Sequence, residues 1–164
     1  MEKEFTQLVN DHRALIFKVC NLYCADHENR RDLFQEVVLQ LWKSFPGFRR
    51  ESAGSTWIYR VALNTAISNF RKESKKPDRR SITLEEFEIP DMSGTDDKER
   101  RSALNLAIDK LTEIEKAIIM LYLDEKSYDE ISEIIGITVS NVGVRLNRIK
   151  NKLSKLIKTD SNGY

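Results

Sequence analysis

The chain is poor in the residues that punctuate or staple a fold. Six glycines and three prolines in 164 residues are too few for a turn-dense all-β architecture. Two cysteines cannot build a disulfide framework. Long hydrophobic runs are missing as well. The longest, Ala117 to Leu123, contains a tyrosine and falls far short of the ~20 residues that cross a bilayer, so the chain is not expected to be membrane-embedded. The start, MEKEFTQLVND, has no basic segment followed by an apolar one, so no secretion signal is expected. No P-loop, GxGxxG or Ser/His/Asp arrangement stands out, so neither an enzyme nor a small-molecule substrate is expected. Net charge is nearly absent too: 27 Lys and Arg against 26 Asp and Glu leave +1, which on its own points to no nucleic acid. What remains is 40% hydrophobic and 32% charged. That is the composition of a helical, cytoplasmic protein of one domain or two small ones.

The near-zero charge is a sum of unlike parts. Residues 1–73 hold 11 basic and 9 acidic side chains, 74–99 hold 5 and 8, and 100–164 hold 11 and 9. The middle stretch contains Pro77 and Pro90 and has no sustained helical period; it reads as a flexible acidic linker, extended by its charge. Domains of 1–73 and 100–160 are expected on either side. The second is polarised further. Asp109 to Glu133 carries eight acids and three bases, whereas Ile134 to Thr159 carries no acid and six bases: Arg145, Arg148, Lys150, Lys152, Lys155 and Lys158. A basic face confined to one helix is an electrostatic footprint for phosphate; alone, it is more often the solvated face of an ordinary helix.

Apolar spacing predicts an all-α protein. Phe5, Leu8, Val9, Leu15, Ile16, Val19, Leu22 and Tyr23 mark one helical stretch. A second helix is expected from about Arg30 to Ser44, ended by Pro46 and Gly47, and a third from Ser55 or Thr56 as N-cap. In the second half, helices are expected over about 100–110 and 112–123. Ser127 then forms an N-cap with Glu130 at the capping-box position, and Gly136 closes that short helix in the left-handed conformation. Thr138 caps a last helix whose Val139, Val142, Leu146, Ile149, Leu153 and Leu156 form a core-facing stripe. A short capped helix, a glycine turn and a basic amphipathic helix make a helix-turn-helix. The second helix of such a unit fits the major groove. Asn141, Asn147 and Arg148 suit base edges, and Arg145, Lys150 and Lys152 suit phosphates.

These residues carry a resemblance. SYDEISEIIGITVSNVGVRLNRIKNKL resembles the −35-reading domain of bacterial extracytoplasmic-function (ECF) sigma factors. RRDLFQEVVLQLWKSFPGF followed by STWIYRVALNTAISNFRK resembles their other domain. The resemblance implies a dissociable initiation factor that binds core RNA polymerase, reads a duplex −35 element, and opens and reads the −10 element as a single strand. It needs no cofactor and is held in check by an anti-sigma factor. On the matching positions, Asp32, Leu33, Gln35, Glu36, Leu39 and Trp42 would bind core polymerase. Phe48, Arg49, Arg50, Ser52, Trp57, Arg60, Asn64, Arg71 and Lys72 would meet the −10 DNA, with rings for base stacking and cations for the backbone. Ser140, Asn141, Gly143, Val144, Arg145, Asn147, Arg148 and Lys152 would meet the −35 duplex. For Trp57, plain core packing stands as an equal alternative.

Departures from the family pattern are Thr112 in place of a common proline, Ser68 in place of a common acid, and Gly143 where a long polar side chain is usual. A metal site built on Asp26, Glu28, Asp32 and Glu36 lacks a histidine partner and is not expected. Cys20 and Cys24, i and i+4 beside His27, are expected to be packing residues. A ligand-sensing helix-turn-helix regulator would share the second domain but not the polymerase-binding motif. A DNA-acting enzyme would need a nucleophile or carboxylate cluster.

Overall fold

The computed structural model describes residues 1–75 and 95–161. All regular structure among them is helical, as the composition predicts. Contacts divide the chain into two compact units, Met1–Thr83 and Leu84–Tyr164. The predicted acidic linker falls mostly on residues 76–94, outside the described residues.

The first unit contains α1 (Glu2–Asp11), α2 (Arg13–Tyr23), α3 (His27–Ser44), a 3₁₀ turn (Phe45–Gly47) and α4 (Gly54–Ser74). The expected single N-terminal helix is two. They break at His12, whose φ and ψ of −116° and 20° leave the helical region and whose Nδ1 lies 2.9 Å from the Leu8 carbonyl oxygen. α3 starts earlier than its apolar period suggested, because the Asp26 side chain caps it by accepting from the Glu28 N–H. α4 starts at Gly54 after Ala53, with no side-chain cap, so neither Ser55 nor Thr56 has the capping role expected of it. Its core is made by Ile16, Val19 and Cys20 from α2, Leu33, Val37 and Leu41 from α3, and Ile58, Tyr59, Ala62, Leu63 and Ala66 from α4, all essentially sealed from solvent. Burial of such side chains contributes roughly 1.5–3 kcal/mol each.

The second unit holds α5 (Thr95–Asp109), α6 (Glu113–Leu123), α7 (Tyr128–Ile135) and α8 (Val139–Ser161). α5 begins five residues before the expected start at Arg100, inside a charged run that reads as linker by composition. α8 packs against α5, α6 and α7. Its Val142, Leu146, Ile149 and Leu153 are buried, whereas Val139, the first member of the predicted core stripe, is 43% exposed. Lys116 is buried at 3% exposure, with its Nζ 3.4 Å from Asp109, tying the end of α5 to α6.

Candidate functional site

The turn between α7 and α8 is built by local hydrogen bonds. Ser127 caps α7 by accepting from the Glu130 N–H, and Glu130 returns by accepting from the Ser127 N–H, a complete capping box. Gly136 ends α7 at φ 84°, a conformation a side chain would strain. Thr138 Oγ1 then accepts from the Asn141 N–H at 3.1 Å to open α8. These expectations hold as made. Thr112, noted only as a departure from a proline, makes a second capping box with Glu115 at the start of α6. The pattern Thr-x-x-Glu was there to be read. Both acids gain from it. The Ser127 backbone holds the Glu130 carboxyl below its ordinary value. For Glu115, burial pushes upward, but the Thr112 N–H and Lys152 outweigh it and the net direction is down.

The outward face of α8 carries Ser140, Val144, Asn147 and Arg148, all exposed, while Asn141, Gly143, Arg145 and Lys152 are half-buried at its flanks. Some of its cations already have partners. Lys152 Nζ lies 3.0 Å from Glu115 Oε1 on α6. Lys150 Nζ donates to the Tyr122 hydroxyl at 3.0 Å and sits 4.1 Å from that ring's centroid. The hydroxyl bond raises the Lys150 ammonium above its usual value.

On α3, Asp32, Gln35, Glu36, Leu39 and Trp42 form one exposed stripe at helical spacing. Leu39 is 44% and Trp42 39% exposed, so the stripe carries two apolar side chains open to solvent. Leu33 departs from the group. It is buried at 2%, one position round the helix from Asp32, and supports the stripe from beneath.

A chain of rings runs from that stripe to the loop before α4. Trp42 meets Phe5 edge-on at 5.0 Å, Phe5 meets Phe45 at 5.3 Å, Phe45 meets Trp57 at 6.2 Å, and Trp57 stacks on Phe48 at 4.5 Å. Trp57 is only 8% exposed, packed against the rings of Phe45 and Phe48. Arg49 and Arg50 are exposed and Ser52 half-buried. Arg50 adopts φ 57°, a left-handed conformation costing a non-glycine residue ~1–2 kcal/mol. It pairs with Glu4 at 3.2 Å. Phe48, Arg50 and Ser52 line an open cavity of about 560 Å³ together with Glu4, Gln7 and Asp11 of α1. Those acidic and amide side chains of α1 were not among the sequence candidates. Forty residues separate them from the loop, and no local pattern joins them. Behind the loop, Asn64, Arg71 and Lys72 are exposed along α4, with Arg60 half-buried on its flank.

Cys20 and Cys24 are buried free thiols. Burial, with Cys24 adding to it, pushes the Cys20 thiol up to about 12. Burial and Glu73 push Cys24 up to about 11. Among the described residues, no group of three or more His, Cys, Asp or Glu could hold a metal ion, and no helix is long and apolar enough to cross a membrane.

Comparison with known proteins matches both halves. The Sigma-70 region 2 family covers residues 8–76, and the Sigma-70 region 4 family covers 101–153. The Escherichia coli ECF RNA polymerase sigma-E factor is 32% identical over 173 aligned positions, spanning 96% of this chain and 90% of the relative. The chain belongs to the ECF sigma factors. The Bacillus subtilis ECF sigma factor SigW is 27% identical, with 94% and 89% covered. In fold, this ECF sigma factor is similar to the Bartonella quintana sigma factor RpoE, solved in complex with the anti-sigma factor NepR, at a TM-score of 0.76 and 20% identity over 96% of this chain and 99% of that one. It is also similar to CnrH, solved in complex with the cytosolic domain of CnrY, at 0.71 and 19% over 98% and 91%. As an ECF sigma factor it is a promoter-specific, DNA-binding transcription initiation factor.

Proposed function

We propose that this sigma factor brings core RNA polymerase to its promoters through three surfaces. The α3 stripe of Asp32, Gln35, Glu36, Leu39 and Trp42 docks on core polymerase, its acids pairing with cations and its two exposed apolar side chains becoming buried. The loop Phe48–Ser52 and the α4 face of Arg60, Asn64, Arg71 and Lys72 hold the opened −10 strand and the adjoining phosphates. α8 enters the major groove at −35, with Ser140, Asn147 and Arg148 toward base edges and Arg145 toward phosphate. Strand opening is driven by the binding of unstacked bases, each stacked contact being worth ~1–3 kcal/mol. The observation that carries this reading is the presence in one chain of the exposed α3 stripe and the capped turn that presents a basic α8.

The test is reconstitution. Purified chain plus core polymerase initiates run-off transcription from a cognate promoter found among genomic fragments, and Trp42→Ala lowers its affinity for core at least 30-fold, as expected of a ≥2 kcal/mol anchor. Failure to co-purify with core or to open any fragment would reject the reading. One structural neighbour, the Bartonella quintana sigma factor RpoE, is solved with the anti-sigma factor NepR. We extend the same control to this chain, with the exposed α3 stripe as part of the contested surface. The anti-sigma protein and core polymerase should then compete, with co-expression lowering run-off yield. The factor works in the cytoplasm, where the polymerase and the promoters are.

A further inference from the structure

α8 is basic and polar on its outward face except at one height. Val144 stands at the middle of that face, 47% exposed, with Ser140 one turn before it and Arg148 one turn after it. A helix rises 1.5 Å per residue, so Gly143 lies beside Val144 at nearly the same height. It has no side chain there. A Cβ at 143 would sit 3.6 Å from the Tyr128 ring, and that ring is itself 41% exposed. From Tyr128 across the backbone of Gly143 to Val144, the surface therefore carries no charged side chain. The charge around it restricts the occupant: a face flanked by Arg145 and Arg148, in a stretch with no acid from Ile134 to Thr159, favours a polyanion. In the major groove the apolar group on a base edge is the C5-methyl of thymine.

We infer that Val144, in the gap left open by Gly143, contacts the C5-methyl of a thymine in the −35 element, so that this factor reads one −35 position by an apolar contact. The inference rests on the placement of α8 in the −35 major groove proposed above. Glycine at 143 removes a side chain that could hydrogen-bond a base and lets the groove floor come closer to the Val144 methyls.

The test uses the holoenzyme and its selected promoter, with each thymine of the −35 element replaced in turn by deoxyuridine, which deletes only the methyl. The wild-type holoenzyme loses about three- to fivefold in affinity at one position, the worth of burying one methyl-sized group. Val144→Ala loses that sensitivity at the same position and leaves the other positions unchanged. Val144→Thr, which keeps one methyl at the same branch point, retains part of it. Affinity that is indifferent to deoxyuridine throughout, or a Val144→Ala holoenzyme with undiminished sensitivity, overturns the inference while leaving the proposed function standing. The deoxyuridine scan of the wild type decides the first point without any variant. A holoenzyme with no −35 preference at all would overturn both.

Discussion

Ser127 and Thr112 stabilise the second unit in the same way, each satisfying a helix N-terminus through a reciprocal pair with a glutamate three residues on. Removing either hydroxyl should cost ~1 kcal/mol, and thermal melting of Ser127→Ala and Thr112→Ala checks it. The two glutamates also set a pH dependence. Both carboxyls lie lower in the fold than the ordinary value of 4.5. A depressed carboxylate contributes stability above its unfolded pKa and loses it as pH falls through the folded one. The second unit should therefore weaken below about pH 4.5, and Glu130→Gln and Glu115→Gln, which remove the titrating carboxyls, should show a flatter acid limb. The thiols behave oppositely. With Cys20 and Cys24 raised to about 12 and about 11, neither carries thiolate near neutrality, so a thiol reagent at pH 8 should leave both intact until the protein unfolds. Both caps were legible because a capping box is contained in four consecutive residues. Leu33 was legible as part of a motif and Trp57 as either a packing or a contact residue, but which of the two roles each side chain takes was not. Which way a side chain faces within a motif depends on the helices packed against it, and those lie elsewhere in the chain.

At the scale of elements, α3 separates support from contact. Leu33→Ala removes a buried side chain and should destabilise the first unit by ~2–5 kcal/mol. Leu39→Ala removes an exposed one and should leave thermal stability within about 0.5 kcal/mol while weakening core-polymerase binding. Denaturant titration and pull-down on the same pair of variants distinguish the two roles. On α8, a Cβ at 143 meets only the Tyr128 ring at ordinary contact distance. Gly143→Ala should therefore stabilise the helix by up to ~1 kcal/mol. The apolar period showed which stretches are helical, but not all of their boundaries. α3 starts at its Asp26 cap, ahead of that period. The break at His12 has neither glycine nor proline to mark it, and α4 begins without a side-chain cap, so the usual start signal pointed two or three residues late. α5 begins in a run of charge that hides its start.

For the molecule as a whole, the +1 total conceals two units with separate cores and a strongly polarised second unit. Its acidic α6 and its basic α8 are not independent surfaces, because Glu115 answers Lys152 and Tyr122 answers Lys150. This bears on the ion atmosphere of DNA. A protein that neutralises Z phosphates displaces ~0.9 Z condensed counterions, and its affinity falls with salt at that slope. Six cations on the last helix would displace five or more, but a lysine that must first leave a carboxylate returns less than its full share. Promoter binding should thus have a shallower salt slope than the charge count implies. Glu115→Gln, which releases Lys152, should steepen the slope by up to about 0.9 in a salt titration of holoenzyme affinity. The internal pairing leaves this factor less sensitive than a plain basic helix to swings in salt.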